Sequence, residues 1–179
     1  MKKRGPWKIK KTRVVYKNPW ITVREDSVLR PDGKPGIFGV VTMLPGVSVI
    51  PLDENGNVYL TKEFHYGVGR TTIEAISGGI EKGENLLKTA KRELKEETGL
   101  TAKKWTYLGV VDPFTTVVNS SNHIYLAEQL NHGKSNPEGT EKIKVIKMPF
   151  KNGLKMVLDS KITHCATCVA ILKIGRLRF

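Results

Sequence analysis

The sequence predicts an α+β protein, an α/β/α sandwich on a mixed β-sheet with an N-terminal β-strand extension. Two observations lead there. The predicted elements run as many strands, one helix, more strands and two terminal helices, without regular βαβ alternation. The chain has 179 residues, 39% hydrophobic and 26% charged, which is long enough to bury a real core as one domain with an extension.

Taken in order, WITVREDSVL (20–29) partly alternates and leads into the turn RPDGKPG, and IFGVVTM (37–43) reads as the returning strand. The early strands, within 7–43, are expected to form a small sheet of their own. VSVIPL (47–52) and VYLTKEF (58–64) flank DENGN, whose Asn55-Gly56 pair is a hairpin signal. TTIEAI (71–76) is a short strand, followed by the glycines Gly78 and Gly79. A helix comes next, with Asn85 placed to cap its N-terminus and Gly99 where a C′ glycine belongs. KKWTYLGVV (103–111), HIYLAEQL (123–130) and KIKVIKMPF (142–150) read as further strands, and NGLKMVLDS and HCATCVAILKI as two C-terminal helices.

Composition excludes some classes. No run approaches the 18 or more apolar residues of a membrane span, and the basic N-terminus has no apolar h-region, so a cytoplasmic protein is expected. Two cysteines make no disulfide framework. Cys165 and Cys168, a CxxC beside His164, are read as small core residues. The outlier is a net charge of +13, with eight basic residues and no acid among the first 20. Such a surface attracts polyanions, although a solvated basic arm has the same composition.

The segment RELKEETG (92–99) poses the chemical question. On a helical wheel, Leu86, Leu87, Ala90 and Leu94 span an arc of about 100°, and Glu93, Glu96 and Glu97 span a neighbouring arc of similar width. Lys88, Lys91 and Lys95 point to the far side. Like charges three and four residues apart destabilise a helix by a few tenths of a kcal/mol per pair, so something must compensate. Carboxylates gathered beside a core either take up protons or hold a hard cation, and all-oxygen donors suit Mg²⁺ or Mn²⁺.

Read further upstream, the pattern is Gly78, five residues, Glu84, seven residues, then Arg92-Glu93-Leu94-Lys95-Glu96-Glu97-Thr98-Gly99-Leu100. This is a complete Nudix box, and the sequence resembles a Nudix hydrolase. From Trp20 onward it is similar, more loosely, to the ADP-ribose (ADP-sugar) pyrophosphatase branch. The resemblance implies a Nudix-type α/β/α sandwich and Mg²⁺-assisted attack of water on a nucleoside diphosphate linked to another moiety, with ADP-ribose giving AMP and ribose 5-phosphate. Mn²⁺ is an admissible substitute. It further implies a boundary between an arm and strand extension (1–43), serving dimerisation and base binding, and a Nudix domain (44–179). The implied metal ligands are Glu93, Glu96 and Glu97 with the Ser77 carbonyl, and Arg92 orients a carboxylate or pairs with Glu84. Trp20 occupies the place of an aromatic that stacks on adenine. Glu74, Arg70, His65 and Gly79 join it as candidate substrate contacts.

Three departures stand out. The branch's aromatic-Arg pair reads Phe64-His65, its E-x-P-A-G reads Glu74-Ala75-Ile76-Ser77-Gly78, and Asn119-Ser120-Ser121 stands where some members carry a catalytic Glu. Other members of the branch place the base in the later loop, and in EGTEKIKVI the resemblance implies Glu141 for that role, with Glu138 the alternative. The implied partners are a small nucleotide-sugar substrate and a second copy of the chain. No membrane is implied, and nucleic acid is admitted by the charge but not favoured. Two other functions fit the sequence: an RNA 5′-end or capped-nucleotide pyrophosphohydrolase, and a non-catalytic nucleotide- or nucleic-acid-binding module.

Overall fold

The computed structural model describes residues 1–133 and 143–178, which divide into two compact units. The first comprises residues 1–44 with 112–121, and the second residues 45–111 with those from Asn122 on.

In the first unit, β1 (Lys2–Arg4), β2 (Trp7–Lys17), β3 (Ile21–Leu29) and β4 (Pro35–Met43) form antiparallel neighbours in that order. The expected return from 20–29 to 37–43 is present in register, from Ile21 opposite Met43 to Leu29 opposite Pro35. Segment 112–121 adds β10 (Val118–Asn119), parallel to β4. A cavity of about 510 Å³ lies within this unit, lined by Trp7, Asp26, Phe38, Val40 and Thr115 among others. Trp7 and Phe38 meet edge to face at 5.5 Å. Thr12 Oγ1 donates to the buried Asp26 at 2.6 Å, and that bond, against the opposing effect of burial, holds the carboxyl below its ordinary range.

The second unit contains β5 (Gly46–Pro51), β6 (Asn57–His65), β7 (Arg70–Glu74), β8 (Ile76–Gly79), α1 (Leu86–Thr98), β9 (Leu100–Val111) and β11 (Asn122–His132). It continues with β12 (Lys144–Pro149), α2 (Phe150–Leu158) and α3 (Cys165–Arg178). One sheet has the order β8-β5-β11-β9 and is mixed, because β5 and β11 run parallel while their other pairings are antiparallel. A second, antiparallel sheet is β12-β6-β7.

Strand alternation explains the layers. Successive side chains point to opposite faces, so Val47, Val49, Tyr125 and Ala127 pack with Ala90 and Leu94 of α1. Ile50, Ile124 and Leu126 face the other way, onto Ala166, Ala170, Ile171 and Ile174 of α3. The mixed sheet is thus filled on both faces, giving the expected α/β/α arrangement. Each fully buried Leu or Ile contributes roughly 1.5–3 kcal/mol of transfer free energy.

Three local outcomes differ from expectation. The Asn55-Gly56 turn forms, with Gly56 at φ 74° and its N–H donating to Asp53 O at 3.0 Å. Yet β5 and β6 share only the Leu52–Val58 bridge, because both edges of β5 are already taken by β8 and β11. The single strand read over 71–76 breaks at Ala75, with β7 in one sheet and β8 in the other. The two cysteines are not both core residues: Cys165 is exposed and Cys168 half-buried, since α3 buries Ala166, Thr167, Ala170, Ile171 and Ile174 instead. Among the described residues, no helix is long and apolar enough to cross a membrane.

Candidate active site

Helix α1 is bounded by the two residues the sequence marks. Asn85 accepts from the Lys88 N–H at 2.8 Å, and Gly99, at φ 71°, donates its N–H to Lys95 O at 2.8 Å. A left-handed C′ position favours glycine because it lacks Cβ. Between these caps the helix buries Thr89, Ala90 and Leu94, and with them Glu93 (9% exposed) and Glu97 (7%). The lysines at 88, 91 and 95 are exposed. The glutamate arc therefore lies against protein, where each carboxylate needs hydrogen bonds or a counter-charge.

Arg92 supplies much of that need. Its Nη1 lies 2.8 Å from Glu93 Oε1 and 2.9 Å from Glu96 Oε2. Its Nε and Nη2 donate to the two oxygens of Glu84 at 3.2 and 3.1 Å, and Nη2 also donates to Gly79 O at 3.2 Å. The rigid guanidinium fork can serve three carboxylates at once. Glu84 also accepts from Thr89 Oγ1 at 2.9 Å. The Arg92 hydrogen bonds, opposed by desolvation and aided by Thr89, hold the Glu84 carboxyl at about 2, below its ordinary 4.5. Reciprocally, Glu84 raises the Arg92 guanidinium above its already high value.

The glycine loop closes the other side. A Cβ on Gly78 would lie 1.9 Å from Glu93 Oε1 and 2.0 Å from its Cδ, so no other residue fits there while Glu93 keeps its place. The next residue back, Ser77, donates its N–H to Glu97 Oε1 at 3.2 Å. Strand β8 and helix α1 thus hold Glu93 and Glu97 between them. Among the described residues, no three His, Cys, Asp or Glu side chains converge as a ready-made metal cluster. Glu84, Glu93 and Glu96 instead gather around Arg92. The donor set is nonetheless all oxygen and anionic, with a backbone cradle that admits close approach, and this chemistry fits a hard divalent cation.

The remaining candidates fall elsewhere. Glu74 accepts from Thr72 Oγ1 at 2.6 Å and stands between two histidines, 3.3 Å from His65 Nε2 and 3.4 Å from His164 Nδ1. Burial, together with His65, pushes His164 below its ordinary value, against the pull of Glu74. Arg70 donates to Thr163 Oγ1 at 2.9 Å. Gly79 meets Arg92 through its carbonyl. Trp20 is 72% exposed, at the entry to β3 in the first unit. Glu141 and Glu138 lie outside the described residues. Sequence reading missed Thr89, whose hydroxyl ties to Glu84, and His164 as a partner of Glu74. Thr89 follows Glu84 by five residues, a local signal that was readable, but nothing local links positions 74 and 164.

Comparison with known proteins agrees with this architecture. A family model described as the nucleoside diphosphate sugar hydrolase N-terminal domain matches residues 7–41, and the NUDIX domain matches residues 42–155. The ADP-ribose pyrophosphatase of Bacillus subtilis (strain 168) is 30% identical over 159 residues, 88% of this chain and 86% of its own. That of Mycobacterium tuberculosis is 28% identical over 156 residues, covering 85% of this chain and 75% of the relative. A crystal structure of an ADP compounds hydrolase superposes with a TM-score of 0.83 at 19% identity, covering 99% of this chain and 96% of that one. The last match speaks to the fold alone. With the NUDIX match spanning most of the chain and Glu84, Glu93 and Glu96 gathered around Arg92, this protein belongs to the Nudix hydrolase family, resembling within it the ADP-ribose pyrophosphatase branch.

Proposed function

We propose that this Nudix hydrolase cleaves a nucleoside diphosphate linked to a second moiety, ADP-ribose above all, to AMP and ribose 5-phosphate. The observation that carries the reading is the seating of Glu93 against Gly78 while Arg92 bridges Glu84, Glu93 and Glu96. Carboxylates held on two sides stay oriented between turnovers. Relatives named as ADP-ribose pyrophosphatases support the choice of substrate. Glu93, Glu96 and Glu97, with the Ser77 carbonyl, would hold Mg²⁺, which when bound neutralises charge developing on the diphosphate.

The chain's own groups have separate tasks. Arg92 is a positioning residue that fixes the directions of Glu93 and Glu96. Glu141 is proposed as the base that takes a proton from the attacking water as a new O–P bond forms and the bridging P–O bond breaks. Trp20, exposed at the head of β3, offers an indole face on which a base would gain roughly 1–3 kcal/mol by stacking. His65, Glu74 and Arg70 are assigned to substrate contact, and the first unit to pairing with a second copy.

The test is AMP release from ADP-ribose, ADP-glucose, GDP-mannose, NADH, diadenosine polyphosphates and triphosphorylated RNA. It is run with Mg²⁺ and after chelation, on wild type and Glu97→Gln. Rapid AMP release from ADP-ribose, lost on chelation and in the variant, is expected. Turnover of RNA alone would move the substrate and keep the hydrolysis, whereas silence across the panel would overturn the reading.

A further inference from the structure

We infer that the outer face of the first unit's sheet is a docking surface for single-stranded nucleic acid, independent of the hydrolytic site. The register places the charges. Lys3 is directly opposite Lys8, Lys11 opposite Ser27, Arg13 opposite Glu25 and Tyr16 opposite Val23. Directly paired residues share a face, and Lys8, paired with Leu29, falls on the same face as Ser27, Glu25 and Val23, which alternate along β3. Lys3, Lys8, Lys11, Arg13 and Tyr16 therefore project together. The opposite face carries Trp7, Asp26 and Phe38, which line the cavity.

All five of these side chains are exposed. Among the described residues, only Arg13 of the four basic ones has an ion pair, with Glu25 at 2.9 Å. Like charges directly opposite destabilise a pair of strands, so Lys3 facing Lys8 works against the sheet and suits an anionic occupant. Lys8, Lys11 and Arg13 are paired with Leu29, Ser27 and Glu25, alternate residues of β3 that stand about 6.7 Å apart, so β2 presents its cations as a row despite the register shift between Ile9 and Lys11. A row of cations ending in an exposed aromatic suits a backbone of phosphates with a stackable base. Tyr16 can stack only on a base that is not paired and stacked within a duplex, which favours a single strand. A second copy is disfavoured here, because a two-fold interface brings a patch against itself, and this one carries four cations with Glu25 as the acid paired among them.

The experiment uses the full chain and a fluorescent oligouridylate of about 20 nucleotides, titrated across salt concentrations. Four phosphate contacts predict a slope of log affinity against log salt of about −3. In the combined Lys3→Ala, Lys8→Ala, Lys11→Ala variant the slope should fall to about −1 and low-salt affinity by more than tenfold, with thermal melting not lowered. A control removing Lys88, Lys91 and Lys95 changes net charge equally and should leave binding near wild type. Equal loss in that control would overturn the proposal, as would unchanged binding in the first variant. So would preference for anionic phospholipid vesicles over the oligonucleotide. A change of oligomeric mass in the first variant without a change in oligonucleotide affinity would assign the face to a second copy and overturn it too.

Discussion

Two clusters of like charge can be set side by side: the glutamates of α1 and the lysines of β1 and β2. Both violate the local preference for alternating signs. On α1 the carboxylates are largely buried, and the chain provides its own counter-ion in Arg92, with Glu84 and the Gly79 carbonyl completing the network. On the strands the ammonium groups are exposed and, apart from Arg13 with Glu25, the described residues supply no partner. The difference teaches where repulsion matters. Buried charges leave the cluster few arrangements, so every partner must be built in. Exposed charges are screened within about 8–10 Å by salt, so the fold tolerates them and leaves them available.

The sharpest way to break the comparison is Arg92→Ala, which leaves three carboxylates without their shared cation. Removing one partner of a buried pair costs about 3–5 kcal/mol, and the partial exposure of Arg92 brings the expected loss to about 2–3 kcal/mol. Urea denaturation at neutral pH measures it, and hydrolytic turnover should fall with it. A loss under about 0.5 kcal/mol would mean that the network is a surface ornament.

Gly78→Ala comes next and separates orientation from stability. The new Cβ displaces only the end of the Glu93 side chain, so stability should fall by about 1 kcal/mol or less while kcat/KM drops more than tenfold. Equal activity would show that Glu93 need not lie against the loop.

Acid titration gives a smaller, graded effect. Glu84 is held at about 2 in the folded chain against an ordinary 4.5, so the unfolded chain takes the proton first. Its contribution is complete above about pH 4.5 and lost as pH falls toward about 2. Stability measured over that window should decline less steeply in Glu84→Gln than in wild type. Parallel declines would place the effect at other groups, such as Asp53. There the Lys147 and Asn57 hydrogen bonds prevail over burial and also hold the carboxyl at about 2.

The smallest change tests the other half of the comparison. Lys3→Glu places an acid directly opposite Lys8 and should stabilise by about 0.5 kcal/mol or less, fading with added salt. A stabilisation that persists in high salt would show that the strand pair gained packing rather than charge complementarity.

Much of this was legible because it is local. The caps at Asn85 and Gly99, the bounds of α1, the β3–β4 return and the spacing of Glu93, Glu96 and Glu97 all follow from rules spanning a few residues. The pairing of Arg92 with Glu84 was among the readable options, since positions eight apart lie about 80° from each other around a helix and its leading turn, within the sweep of a long arginine side chain. By itself, then, the sequence determined the helix, its charged arc and the family that arc belongs to. Tertiary structure alone decided that Gly78 must lack a Cβ for Glu93 to seat, because that contact joins β8 to α1. It decided that β5 pairs with β8 and β11 rather than with β6, that residues 112–121 pack with the first unit, and that Glu74 stands between His65 and His164. The physical reason is common to these cases. Competition for strand edges and encounters between distant side chains are settled by the whole chain's packing, which no local period encodes.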